Sequence, residues 1–197
     1  MSLPARHLNL SPDDYLAIEA WSDVRHEFIG GQMFAMAGAS DAHNVIAGNV
    51  FALLHAHLRG SGCRAYIADM KAKIEQTEDF YYPDVMATCE KFSAKSVFKS
   101  QPFLIFEILS PSTASIDRRE KLAAYRQIDN LREYVVIYQD KKRAELHRKD
   151  SRGNWQTAIL GEQDELYLES PPNDPLTITM NEIYEDVDFT QSESDAA

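Results

Sequence analysis

Phe103-Leu104-Ile105-Phe106-Glu107-Ile108-Leu109 is a nearly unbroken apolar run with one carboxylate set inside it. A half-exposed strand would alternate apolar and polar residues, so the run predicts a central strand buried on both faces. Pro111-Ser112 breaks it. A carboxylate in such a strand is expensive and must be protonated, paired or bound to a cation. Glu107 is therefore the strongest functional signal in the chain, because perturbed acids gather at working sites. The competing reading is a glutamate near the strand end that is salt-bridged to an arginine.

Working downstream, a helix is predicted from about Asp117 to Ile128, with Asp117 and Glu120 spaced as a capping box. Lys121, Ala124, Tyr125 and Ile128 follow the i, i+3, i+4, i+7 rule, which puts Lys121 on the inward stripe. A lysine there either snorkels to water or pairs with acids. Upstream, Tyr81-Tyr82-Pro83-Asp84-Val85 places Asp84 at the start of a strand just after a proline. Alone, that pair also reads as a turn. Two acids and a lysine make a coherent set: carboxylate oxygens suit Mg²⁺, which retains waters and binds phosphate. No Ser-His-Asp order, P-loop or HExxH competes with it. By pattern alone Glu27 is an exposed strand acid and His43 a core histidine, and neither joins the site.

The remaining chain predicts an α/β (α+β) domain over residues 1–189 with a central mixed sheet. Ser11-Pro12-Asp13 opens a first helix that ends by Ser22-Asp23, and His26–Met36 reads as a β-hairpin turning at Gly30-Gly31. A second helix starts after Gly38–Asp41, carries His43, Ile46, Ala47, Val50, Leu54 and His57 close to one face, and stops at Gly60-Ser61-Gly62. Cys63–Cys89 holds two or three strands, with Ala65–Ile74 and Phe80–Thr88 as the main ones. Lys91–Gln101 is a loop or short helix. Tyr134–Tyr138, Ala144–Arg148 and Trp155–Leu160 are further strands, and Asn181–Asp186 is a short helix. Residues 190–197 read as an acidic disordered tail.

The net charge of −11 at first argues against nucleic acid as a partner. Its distribution removes the objection. Gly153–Ala197 holds eleven Asp and Glu and no Lys or Arg, while the preceding chain is neutral and Lys91–Arg126 is locally basic. No stretch is apolar for long enough to span a bilayer, and Met1–Asn9 lacks a signal-peptide core. A cytoplasmic location is expected. Cys63 and Cys89 allow one disulfide, but two reduced, mostly buried thiols fit that compartment better.

Taken in order, Arg25-His26-Glu27-Phe28-Ile29-Gly30-Gly31, Ser40-Asp41-Ala42-His43, Tyr82-Pro83-Asp84-Val85, Phe106-Glu107-Ile108-Leu109-Ser110-Pro111-Ser112-Thr113, Asp117 with Lys121 and Tyr125, and Arg132-Glu133-Tyr134 resemble the bacterial Uma2 (DUF820) family. That family falls in the PD-(D/E)XK restriction-endonuclease-like superfamily. The resemblance covers residues 10–185 and implies a restriction-endonuclease-like fold, a central mixed sheet flanked by helices, with an N-terminal helix and β-hairpin. It implies a metal-dependent endonuclease acting on nucleic acid, DNA above all. Asp84 and Glu107 would bind Mg²⁺ or Mn²⁺, the Ile108 carbonyl would add a ligand, and Lys121, Glu27 and His43 would complete the site. The superfamily lysine stands two residues after the strand glutamate, where this chain has Leu109. Lys121 fits a lysine moved to the next helix. A homodimer is compatible, since endonucleases that cut both strands often dimerise. The alternative is a non-catalytic binding or assembly module on the same fold.

Overall fold

A computed structural model describes residues 9–109, 117–172 and 174–189. Its elements in chain order are α1 (Pro12–Glu19), β1 (His26–Ile29), β2 (Gln32–Ala35), α2 (Asp41–His57), β3 (Arg64–Ile67), β4 (Lys71–Ile74), β5 (Asp79–Tyr81), β6 (Val85–Thr88), β7 (Phe98–Lys99), β8 (Pro102–Leu109), α3 (Asp117–Tyr125), β9 (Glu133–Tyr138), β10 (Ala144–Lys149), β11 (Trp155–Leu160), β12 (Glu165–Leu168), β13 (Leu176–Thr179) and α4 (Met180–Ile183). The predicted tail, residues 190–197, lies outside the described residues, as does the side chain of the expected helix cap Asp117.

The apolar run is β8, and every residue of it is buried. It sits inside a six-stranded sheet ordered β11-β10-β9-β8-β6-β3. The β8–β9 pair is parallel and the other pairs are antiparallel, so the sheet is mixed. Parallel neighbours need a crossover, and α3 supplies it. Alternate β8 residues serve two cores. Leu104, Phe106 and Ile108 pack with Ile46, Val50 and Leu54 of α2, and with β12, β13 and α4. Ile105 and Leu109 pack on the other face with Tyr125 and Ile128, Met86, and Ala72 and Ile74 of β4. By strand alternation Glu107 faces that second core.

A second sheet, ordered β2-β1-β5-β4-β7, lies on the α3 side. The hairpin β1–β2 turns at Gly30 and Gly31, whose φ values of 56° and 82° are the left-handed conformation a two-residue turn needs. The Gly30 N–H donates to Asp79 Oδ1 at 2.8 Å, tying the turn to β5. Helix α1 starts with a reciprocal cap between Ser11 and Asp14 and buries Tyr15 against Phe28 and Phe80. It ends at Glu19, earlier than the predicted stop.

The structure departs from the sequence expectation in several places. Residues 63–89 form four strands divided between the two sheets, not two or three strands in one run. The chain leaves the large sheet after Ile67, through Ala68 at φ 55°, and returns after Tyr82-Pro83-Asp84. Pro83 lacks the N–H that a continuous ladder would use. The 91–101 segment carries β7, which pairs parallel with β4. The unpredicted hairpin β12–β13 closes over the α2 core, and the last helix is a single turn from Met180. Finally, Cys63 and Cys89 form a disulfide instead of two thiols. They stand one residue beyond the Arg64↔Thr88 pair of β3 and β6, so strand register brings them together.

Candidate active site

Asp84 stands where the chain re-enters the large sheet. One step beyond the Val85↔Phe106 pair, it lies opposite Glu107. Its backbone carbonyl accepts from the Ala68 N–H at 3.0 Å, which locks the crossing point. Its Oδ2 accepts the Ile108 N–H at 2.7 Å and lies 3.2 Å from His43 Nε2. His43 comes from the first turn of α2, whose cap Ser40 Oγ reaches Gln139 Oε1 just past β9. Burial works against a charged His43. The Asp84 hydrogen bond and the charges of Asp84 and Glu107 outweigh it and raise the imidazole above its ordinary 6.5.

Glu107 is held from α3. Lys121 Nζ lies 3.1 Å from Glu107 Oε2 and 3.0 Å from Glu27 Oε1. Tyr125, one helical turn after Lys121, donates its hydroxyl to Glu107 Oε1 at 2.7 Å. Glu27 enters from β1 and also accepts from the Tyr82 N–H at 3.4 Å. The Lys121, Glu107 and Glu27 side chains are 14%, 7% and 14% exposed, so their charges interact in a poorly screened interior.

The electrostatics record more negative charge than Lys121 balances. Burial pushes the Glu107 carboxyl up. Lys121 and the Tyr125 hydroxyl pull it back, while Asp84 and Glu27 push it further, and it comes to rest at about 7. Burial would likewise depress Lys121, but Glu107, Glu27 and Asp84 hold it well above its ordinary value. The ammonium is therefore a fixed cation and the Glu107 proton is the labile one.

The structure thus brings together all five side chains singled out in the sequence, Glu27, His43, Asp84, Glu107 and Lys121, with the Ile108 backbone beside Asp84. Sequence reasoning gave Tyr125 no role, because a tyrosine on an inward helical stripe reads as core. Its spacing of four from Lys121 was the available signal. Among the described residues, no group of three or more His, Cys, Asp or Glu is gathered as a metal cage. Asp84 and Glu107, opposite each other in register, offer carboxylate oxygens that suit Mg²⁺, which binds through one or two carboxylates and keeps its waters. The surplus of buried negative charge is what a divalent cation would relieve.

The Uma2 family model, described as "Putative restriction endonuclease", matches residues 12–181. The Synechocystis proteins slr1290 and sll1609, both described as uncharacterized, are each 35% identical to this chain. The first alignment covers 82% of this chain and 85% of the relative, the second 80% and 91%. A crystal structure from Anabaena variabilis, described as "a putative nuclease belonging to DUF820", superposes with a TM-score of 0.73 over 89% of this chain and 97% of that one. At 13% identity that likeness speaks to the fold alone, a mixed sheet with flanking helices. With 170 consecutive residues under the family model and two relatives above 30% identity, the chain belongs to the Uma2 family.

Proposed function

We propose that this protein is a metal-dependent nuclease that hydrolyses phosphodiester bonds, with DNA as its substrate. The observation that carries the reading is the buried Glu27–Lys121–Glu107 bridge beside Asp84, which gathers three carboxylates around one ammonium. Asp84 and Glu107 would hold Mg²⁺ or Mn²⁺, with the Ile108 carbonyl as a further ligand. The ion, when bound, polarises a phosphodiester and lowers the pKa of a bound water.

The chain's own residues have separable tasks. His43 and the Ile108 N–H both engage Oδ2 of Asp84 and fix its orientation. Tyr125 fixes Glu107 in the same way. Lys121, whose cationic form the surrounding carboxylates favour, would supply positive charge for a phosphate oxygen. Glu27 anchors that ammonium from the second sheet, so the reach of Lys121 depends on the β1 position. The family description supports the reaction class.

Supercoiled plasmid incubated with Mg²⁺ or Mn²⁺ tests the reading. Wild-type protein should nick it and Asp84→Ala should not. Equal nicking by the two proteins would remove Asp84 from the chemistry, and no cleavage of any nucleic acid by wild type would overturn the function.

A further inference from the structure

Phe34 is a large aromatic left 48% exposed on β2, the edge strand of the second sheet. A single exposed apolar residue is ordinary, but the placement of this one is not. Phe34 is the direct cross-strand partner of Glu27. Directly paired residues in an antiparallel ladder project from the same face, with Cβ atoms ~5 Å apart. The neighbouring positions confirm the face. Ile29, two residues from Glu27, packs on the α3-side core, whereas Phe28 and Met33 pack on the opposite side with Tyr15. Phe34 therefore flanks the carboxylate that anchors Lys121, and it joins no aromatic pair among the described residues.

We infer that Phe34 is the platform on which a nucleobase next to the scissile phosphate stacks. This rests on the nuclease reading and sharpens its substrate class. A base within a duplex has both π faces covered by its neighbours, so a side-chain ring reaches only a base that is unpaired or terminal. The site is thus built for a strand that is single or locally opened at the cut. Lys121 would meet the phosphate and Phe34 the adjoining base, with Glu27 holding the two at a fixed separation. Stacking accepts any base, so this contact gives affinity without sequence preference. Phe34 is a positioning residue: it touches the substrate's base and none of the reacting atoms.

The test is binding of a fluorescein-labelled single-stranded DNA oligonucleotide, followed by anisotropy with Ca²⁺ in place of Mg²⁺. Cleavage kinetics with Mg²⁺ follow in parallel. Phe34→Ala should weaken binding and raise KM by roughly 5- to 100-fold, the equivalent of losing one stacked base, with kcat little changed. Phe34→Trp should restore both. With an oligonucleotide carrying an abasic site beside the cut, wild type and Phe34→Ala should bind alike. Equal binding of the intact strand by wild type and Phe34→Ala overturns the stacking role while leaving the nuclease reading in place. An equal loss on the abasic strand, or a matched duplex bound as tightly as the single strand, overturns it as well. If wild type neither binds nor cuts any nucleic acid, the nuclease reading falls and the platform falls with it.

Discussion

Replacing Lys121 by methionine removes the one described cation bound to both Glu27 and Glu107 while keeping the volume of its stem. Breaking a buried pair by deleting one partner costs about 3–5 kcal/mol, because a charge is left behind. Here the cost should depend on pH in a calculable way. In the wild type the Glu107 carboxyl, raised from an ordinary 4.5 to about 7, is ionised above neutrality. Its contribution is that of a group with a raised folded pKa: stability is full below about 4.5, is lost as pH climbs to 7, and is level beyond. Without Lys121, burial together with Asp84 and Glu27 keeps the acid protonated to higher pH, so the loss continues. Each further pH unit above neutrality then costs the variant about 1.4 kcal/mol relative to wild type. A penalty near 3 kcal/mol corresponds to a fall in Tm of roughly 6–12 °C for a chain of this size. Thermal unfolding of both proteins in EDTA, followed by circular dichroism at about pH 6 and about pH 8, gives the two penalties; the higher pH should show the larger one by on the order of 1 kcal/mol. A penalty that is absent, or the same at both pH values, would refute the electrostatic description of the site.

Other expectations can be checked with the same purified protein. Tyr125→Phe removes a buried hydrogen bond to a charged group, so stability should fall by about 1.5–3 kcal/mol, and the Glu107 titration, followed by carboxyl-resolved NMR, should move upward because the hydroxyl lowers it. His43→Ala should cost more stability below the ordinary imidazole value of 6.5 than above it. The raised folded-state value means that the stabilisation is full when His43 is charged and fades as pH rises through it, which denaturant titrations at the two extremes would show. Replacing Cys63 and Cys89 by serine should lower stability by about 3.5 kcal/mol, as opening a loop with a sequence separation of 26 implies; an unchanged denaturation midpoint under oxidising conditions would contradict the bridge.

Much of the architecture was legible because local signals agreed with the global fold. Glu107 announced itself as a charge inside a run that can only be buried, and Gly30-Gly31 required a turn whatever surrounded it. Lys121 was placed by helical phase, and the structure puts it between Glu27 and Glu107. What escaped was decided by tertiary context. The exchange of strands between two sheets hinges on Ala68, a residue with no intrinsic preference for positive φ, so nothing local marks it. Hairpin β12–β13 is two four-residue strands whose pairing is visible only once the α2 core asks to be covered. The disulfide depends on cross-strand register, which neither cysteine's neighbourhood reveals. Tyr125 looked like packing until the strand opposite it was known to carry an acid.

The claim on which the functional reading rests is that Asp84 and Glu107 hold a divalent cation. Calorimetric titration of Mn²⁺ into wild-type protein and into Glu107→Gln tests it most directly. Glutamine keeps the size of the side chain and its bond from Tyr125 but removes the charge. Wild type should show one saturable site, with binding weakened about tenfold or more, or lost, in the variant. Mn²⁺ binding that is equal in the two proteins, or absent from wild type, would contradict it.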